Sequence, residues 1–216
     1  AMVFLPKEDF NAQEKCRAIM EYEVIKSGMN LFGWRQVPVN SSIIGEKANY
    51  TRPEIEQLIF SPKEKNSNIE KTLYLTRRRI ENKIKSLNIN NFYICSLSSE
   101  VIVYKGMFLA EQLSSFYPDL LDSDFKSKFA IYHQRYSTNT FPTWSLAQPF
   151  RVLAHNGEIN TLKGNVNWMK AHETRITDDF FGDRVEDLKP ILDSDSSDSA
   201  SLDAAFEILL QTNRSL

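Results

Sequence analysis

Leu153-Ala-His-Asn-Gly-Glu-Ile-Asn160 is the stretch on which the fold assignment depends. It overlaps an apolar run at 150–155 that predicts a strand, and its Asn156-Gly157 pair is the dipeptide most typical of a tight turn between strands. Attack on an amide carbonyl places negative charge on its oxygen. A side-chain amide and a backbone N–H from a residue without Cβ can both approach that oxygen closely. The stretch therefore predicts either a plain hairpin turn or a turn that also binds an oxyanion.

A second stretch, His133-Gln-Arg-Tyr-Ser-Thr-Asn-Thr140, follows another apolar run and predicts a strand at 129–136. The strand would present Arg135 rigidly, and the planar guanidinium suits bidentate pairing with a carboxylate. A surface ion pair is the alternative interpretation of Arg135. Two prolines, Pro142 and Pro149, predict a structured loop between the two stretches.

The third stretch is the run of serines and aspartates at 192–202, which predicts the start of a helix. Serine and aspartate are preferred at helix N-caps, so Asp193, Asp195 and Asp198 can be capping residues. Carboxylates at a helix start can also pair with an ammonium group, the interpretation we favour. A calcium loop is disfavoured because the run lacks the required glycine and terminal glutamate spacing. The apolar residues that define this helix are Leu202, Phe206, Leu209 and Leu210.

Length and composition predict one globular domain over residues 1–216. The 26 basic and 28 acidic side chains give a formal charge of -2, which argues against nucleic acid or an anionic membrane as partner. We find no apolar run of about 18 residues, the length that a membrane span needs. Small neutral or zwitterionic ligands remain. Ala1 standing before Met2 is typical of a residue left by tag removal.

Cysteine and histidine are sparse and predict no metal site. Cys16 and Cys95 are the two cysteines, and their wide separation favours small core residues in a reducing compartment over a disulfide or a metal pair. The three histidines form no ligand pair at helical spacing. We expect His133 and His155, each near a strand end, to form hydrogen bonds in the core.

The remaining pattern predicts helices outside a set of strands in meander order. In the amphipathic helix predicted at 69–87, we expect Arg77, Arg78 and Arg79 on the solvated side, which is favoured over a nucleic-acid patch. This order predicts an α+β layered sandwich rather than a doubly wound sheet. Further helices are predicted at 11–27 and 162–174, mixed helix and turn at 109–121, strands at 2–5, 30–39 and 54–60, and a hairpin at 91–106.

The stretches at 133–140 and 146–160, with Asp195-Ser-Ser-Asp-Ser-Ala-Ser-Leu-Asp203, closely resemble the glutaminase domain of the large chain of glutamate synthase. The likeness extends to Phe32-Gly-Trp-Arg-Gln-Val-Pro38 and to the segments at 77–80 and 92–97, so it spans most of the chain. The resemblance implies a class II glutamine amidotransferase, an N-terminal nucleophile hydrolase with a four-layer αββα sandwich. The ligand so implied is L-glutamine.

The resemblance also assigns roles to individual residues. It implies that Arg135 clamps the glutamine α-carboxylate and that Asp198 pairs with the α-ammonium. It implies that Asn156 and Gly157 form the oxyanion hole, and that Thr138 lines the same pocket.

One feature of that family has no counterpart in this chain. Its nucleophile is a cysteine at the mature N-terminus, whose own α-amino group is the general base. Cys16 and Cys95 cannot replace it, because their nitrogens are in peptide bonds. We therefore expect a single partial domain over 1–216, incomplete at its N-terminus and unable to hydrolyse glutamine alone.

For the intact protein, the resemblance implies hydrolysis of glutamine to glutamate and ammonia, followed by reductive transfer of the ammonia to 2-oxoglutarate. It implies FMN, an iron-sulfur cluster and NAD(P)H or ferredoxin, with none of these bound by this chain. The implied partners are synthase domains of the same polypeptide and a small reductase subunit or domain, in the cytoplasm or alternatively a plastid.

Two other functions fit parts of the sequence. A non-catalytic glutamine-binding module would keep Arg135 and Asp198 and need no nucleophile. Another amidotransferase, such as one making phosphoribosylamine or asparagine, is disfavoured because the segment at 32–97 resembles glutamate synthase.

Overall fold

A four-stranded antiparallel sheet organises the chain in the computed structural model, which describes residues 1–65, 67–134, 140–176, 181–193 and 196–212. Its spatial order is β2-β3-β1-β4. The strands are β1 Met2–Leu5, β2 Met29–Gln36, β3 Glu54–Pro62 and β4 Tyr93–Ser96. Together with the helices, the sheet confirms the predicted α+β class.

Strand β1 lies inside the sheet and is buried along its whole length. Because side chains alternate along a strand, Val3 and Leu5 enter one hydrophobic cluster while Met2 and Phe4 enter another on the opposite face. A strand covered on both faces reads as an unbroken apolar run, as it does here. The backbone of Ala1 continues the pairing with β3, since its amine donates to the Leu58 carbonyl at 2.8 Å.

Helices α1 (Phe10–Lys26) and α3 (Ile69–Ser86) cover the Val3 face of the sheet. The side chain of Asp9 caps α1 by accepting from the Ala12 amide at 2.9 Å, and Gly28 follows the helix at φ +85°. A positive φ favours glycine, so the predicted helix end is confirmed.

Short helices and an aromatic cluster cover the opposite face. The helices are α2 (Glu46–Tyr50) and α4 (Leu113–Phe116), with 3-10 turns at Ser41–Ile43, Ala110–Gln112 and Pro118–Leu121. The aromatic cluster comprises Phe4, Phe108, Phe116, Tyr117 and Trp144, whose rings meet mostly edge to face.

Two further helices complete the described fold: α5 (Leu162–Glu173) and α6 (Asp198–Gln211). A 3-10 segment at Gly182–Leu188 and the residues after it pack between α3 and α6 in a third hydrophobic cluster. Every helix in the described ranges is too short or too polar to cross a bilayer.

Three predicted strands are wrong within the described residues. The backbone at 101–104, 129–134 and 150–155 forms no strand, so the described ranges contain one sheet and not the second sheet of a four-layer sandwich. Val101 and Ile131 are 50% and 68% exposed, and the amide of Val103 donates to the Ser96 hydroxyl. Apolar β-branched residues do not form a strand unless a neighbouring strand supplies hydrogen bonds.

The predicted solvated face of α3 is also wrong. Arg77 and Arg78 are buried, and Arg77 donates to Glu81 at 2.7 Å and to Glu207 of α6 at 2.7 Å. Arg78 donates to the Leu188 carbonyl at 3.2 Å. Spacing along a helix identifies one buried face, whereas α3 is covered on a second face by distant segments that bring acceptors for the guanidinium groups.

Helix α6 begins in the serine-aspartate run as predicted, but most of its buried side chains are polar. Asp203 and Glu207 are buried, whereas Leu210 is exposed. The buried carboxylates of this helix bring charge into the region that holds the candidate site.

Candidate active site

Asn156 and Gly157 lie exposed at the end of an irregular segment that the side chain of Gln148 holds in place. The Gln148 amide donates to the His155 carbonyl at 3.0 Å, and its oxygen accepts from the His155 N–H at 2.9 Å. A single side chain thus provides both hydrogen bonds that a partner strand would supply. Gln148 thereby fixes the backbone one residue before Asn156.

The Gly157 amide, the predicted oxyanion donor, donates to Nδ1 of His155 at 3.1 Å. Nδ1 therefore carries no proton in this arrangement, and the imidazole has to turn before the amide can donate to another acceptor. A Cβ built on Gly157 would lie 3.2 Å from Nδ1, so the two groups are already in close contact. A larger residue at this position would require the imidazole to shift by a few tenths of an ångström.

Asp198 is the first residue of α6 and is buried. Its Oδ2 accepts from the Ile159 amide at 3.0 Å, and its Oδ1 accepts from the Ser199 amide at 2.6 Å. The structure thus brings the acidic helix start against the chain just after Gly157. The N-cap is Ser197, whose hydroxyl accepts from the Ala200 amide at 3.1 Å, so Asp198 is not the capping residue.

A carboxylate at this place is stabilised by the exposed N–H groups of the helix start. A carboxylate so placed can face a cationic group. A ligand ammonium is one such group.

The structure does not bring every residue predicted for the site into it. Arg135, Thr138 and Asp195 lie outside the described residues, so their predicted positions stay predictions. Asp193 forms a surface ion pair with Lys85 at 2.6 Å, in which both side chains are more than half exposed. Asp193 is therefore not part of the candidate site.

Asp203 was not predicted, yet it contacts the segment that carries Asn156. Its Oδ1 accepts from the Val152 amide at 2.9 Å and its Oδ2 accepts from the Arg151 amide at 3.3 Å. The side chain is buried, with 1% of the residue exposed. The only sequence signal was its position in the resembling motif, five residues after Asp198.

Arg151, also not predicted, anchors the same segment to the sheet. Its guanidinium donates to the Ile94 carbonyl of β4 at 2.8 Å and to Glu81 of α3 at 3.0 Å. Burial works against the charge, but Tyr93, Glu81 and Glu207 outweigh it and raise the pKa of Arg151 above its usual value.

Glu81 titrates in the same network. Burial favours its neutral form, yet the guanidinium groups of Arg77, Arg151 and Arg78 lower its pKa to about 2. Glu81 is therefore charged at neutral pH, and the network is ionic.

The two cysteines are core residues. Burial raises the pKa of Cys16 to about 11 and that of Cys95 to about 12. Nucleophilic attack needs the thiolate, which these groups do not form at neutral pH. Among the described residues, no group of three His, Cys, Asp or Glu side chains is arranged to hold a metal ion.

The turn, the acidic helix start and the fold lead to a class of protein. Residues 1–216 match the family described as glutamine amidotransferases class-II, and the chain belongs to that family. The resemblance found in the motifs is thereby confirmed.

Its relatives are glutamate synthases. The chain is 62% identical over 214 residues to the glutamate synthase [NADPH] large chain of Azospirillum brasilense, covering 98% of this chain and 14% of that protein. It is 46% identical over 217 residues to the chloroplastic ferredoxin-dependent glutamate synthase of Oryza sativa subsp. japonica, covering 99% and 13%. The chain thus spans 13–14% of the length of these two curated relatives.

Proposed function

We propose that this chain binds L-glutamine and stabilises its transition state for hydrolysis, as part of a glutamate synthase. The hydrogen bond from the Ile159 amide to Asp198 carries the proposal, because it joins the acidic helix start to the segment of Asn156 and Gly157. A zwitterion needs a counter-charge for its ammonium close to the donors for its reacting carbonyl. These two parts of the chain supply one of each.

In this proposal, Asp198 accepts from the α-ammonium, and Arg135 pairs with the α-carboxylate while Thr138 lines the pocket. The Asn156 side chain and the Gly157 amide donate to the oxygen that becomes negative when the side-chain amide of glutamine is attacked. His155 turns away so that the Gly157 amide can make this contact.

The nucleophile is neither Cys16 nor Cys95, both of which are buried with raised pKa values. We propose that residues 1–216 do not hydrolyse glutamine alone. The resemblance implies a cysteine with a free α-amino group as nucleophile and base.

The ammonia released would be transferred reductively to 2-oxoglutarate by synthase domains of the same polypeptide, with electrons from NAD(P)H or ferredoxin supplied directly or through a small reductase subunit or domain. The names of the relatives, which specify NADPH or ferredoxin, support this. We place FMN and an iron-sulfur cluster outside this chain. Such a cluster takes about four cysteine ligands, and the chain has two cysteines, both buried. For the intact protein we propose a location in the cytoplasm or in a plastid.

Steady-state glutaminase assays on the full-length gene product test the proposal. Asn156→Ala should lower kcat by about 100- to 1000-fold, because it removes one donor to the oxyanion. Asp198→Asn should mainly raise KM for glutamine. Asn30→Ala, an exposed asparagine on β2, is the matched control and should behave as wild type.

The alternative is a non-catalytic glutamine-binding module, and the same protein distinguishes it. Calorimetric binding of glutamine, weakened by Asp198→Asn but accompanied by no release of ammonia, would favour the binding module and exclude the glutaminase.

A further inference from the structure

Two buried carboxylates of helix α6 hold the two ends of the segment that carries Asn156 and Gly157. Asp203 accepts from the amides of Arg151 and Val152, at 3.3 Å and 2.9 Å. Asp198 accepts from the Ile159 amide at 3.0 Å. The exposed turn is therefore suspended between two fixed points on one helix.

Asp203 can fix the orientation as well as the position of the segment that carries Asn156 and Gly157. Each of its two oxygens accepts from a different, consecutive amide, so the carboxylate plane fixes the direction in which the backbone leaves Val152. A buried carboxylate is costly unless hydrogen bonds compensate it. The backbone amides supply such bonds, which makes the contact geometrically demanding.

Helix α6, which carries Asp203, is itself anchored to the core. Helix α6 is tied to α3 by the ion pair of Glu207 with Arg77 at 2.7 Å, and both side chains are at least 90% buried. The side chain of Arg151 ties the same segment to β4 through the Ile94 carbonyl. The position of Asp203 therefore follows the rigid core of the molecule and not the surface loop.

We propose that Asp203 is a positioning residue for the oxyanion donors Asn156 and Gly157. It acts through the backbone at 151–152 and touches neither the substrate nor the reacting atoms. This inference rests on the proposed function, in which Asn156 and Gly157 bind the oxyanion. Asp198 would then hold both the ligand and the far end of the segment, whereas Asp203 holds the near end only.

The test uses Asp203→Asn in the full-length gene product, with kcat and KM for glutamine hydrolysis measured separately. The asparagine side chain has the same shape as the aspartate. One acceptor oxygen becomes an NH2 group, however, and this group cannot accept a hydrogen bond from the backbone N–H that faces it. We expect kcat to fall by about 100-fold with KM unchanged, since a displacement of about 1 Å at a reacting centre has that effect. Ser201→Ala is the matched control on α6, because the buried Ser201 hydroxyl has no hydrogen-bond partner among the described residues. It should keep the wild-type kcat.

A double substitution separates positioning from a general loss of structure. Because Asp203 acts partly through Asn156, Asp203→Asn should lower kcat by a smaller factor in an Asn156→Ala background than in the wild type, and the remaining effect would come through Gly157. Equal losses of kcat in both backgrounds overturn the proposal, as does a wild-type kcat in Asp203→Asn. An Asn156→Ala variant with wild-type kcat would instead overturn the proposed function itself.

Asp203→Glu provides a second variant that keeps the buried charge and moves the oxygens by one methylene. We expect a reduced kcat and an unchanged KM, together with faster hydrogen exchange in a peptide covering 151–157. A wild-type kcat in this variant overturns the proposal even where Asp203→Asn does not accumulate as folded protein.

Discussion

The N–H of Gly157 and Nδ1 of His155 form a hydrogen bond of 3.1 Å, so the imidazole occupies the donor that the proposed oxyanion hole requires. The backbone of His155 is held independently by both ends of the Gln148 side chain. Turning of the imidazole therefore needs rotation of the His155 side chain only, with no movement of the chain on which Asn156 follows. The donor can be released while the turn stays in place.

Replacement of Gln148 by alanine tests how this segment is held. The change removes one acceptor and one donor and leaves the N–H and carbonyl of His155 without their partners. Each unsatisfied buried group costs about 1–3 kcal/mol, so we expect the free energy of unfolding to fall by at least about 1 kcal/mol. Urea unfolding of the chain measures it. Gln36→Ala, which loses an exposed contact with Glu54, should change stability by less than about 0.5 kcal/mol.

The buried pair of Arg77 and Glu207 should be far more important for stability than a surface pair. Arg77→Met leaves the buried carboxylate of Glu207 without its closest partner, because the guanidinium of Arg151 lies 3.9 Å away. Breaking such a pair typically costs about 3–5 kcal/mol. Lys85→Met is the matched control, since it removes the exposed pair with Asp193 and should cost less than about 1 kcal/mol. Similar urea midpoints for the two variants would contradict the prediction.

The helices and the central sheet were predictable because their signals are local. The apolar spacing of Ile80 and Ile84 identified α3, and the apolar run before Pro6 identified β1. The burial of Arg77 was not predictable, because its partner Glu207 lies 130 positions away and no local pattern links them. An arginine with distant buried acceptors looks the same in the sequence as a solvated one.

In the candidate site, too, local motifs were predictable from the sequence and long-range contacts were not. The motif resemblance singled out Asn156, Gly157 and Asp198, and the structure brings their two segments together. The strand predicted at 150–155 is wrong because the Gln148 side chain supplies the hydrogen bonds near its end. The contact of Asp203 with Val152 required knowledge of which helix packs on which segment, information that a single sequence does not carry.

Neither cysteine should react in the folded chain. Cys16 and Cys95 are buried, and burial raises their pKa values to about 11 and 12, so the reactive thiolate is scarce at neutral pH. We expect no modification by a thiol-specific disulfide reagent in native buffer and two modified thiols in urea. In the full-length gene product, a double replacement of these cysteines by serine should keep glutaminase activity. Loss of activity with retained folding would contradict their assignment as core residues.

The contribution of Lys105 to the free energy of unfolding should rise with pH. Its ammonium is buried beside the rings of Tyr93 and Phe150 and donates to the Ser145 carbonyl at 2.7 Å. Burial lowers the pKa of Lys105 to about 7 in the folded chain, below the value of about 10.4 expected in the unfolded chain.

Between these two pKa values, the unfolded chain binds more protons than the folded chain at this residue. The contribution of Lys105 to the free energy of unfolding therefore increases with pH through this window, by up to about 1.4 kcal/mol per pH unit, and is constant below pH 7. The difference in stability between wild type and Lys105→Met isolates this contribution from other groups. Urea unfolding at pH 6, 7, 8 and 9 should show wild type gaining stability relative to the methionine variant above pH 7. A difference that is flat or falls with pH would mean that Lys105 remains charged in the folded core.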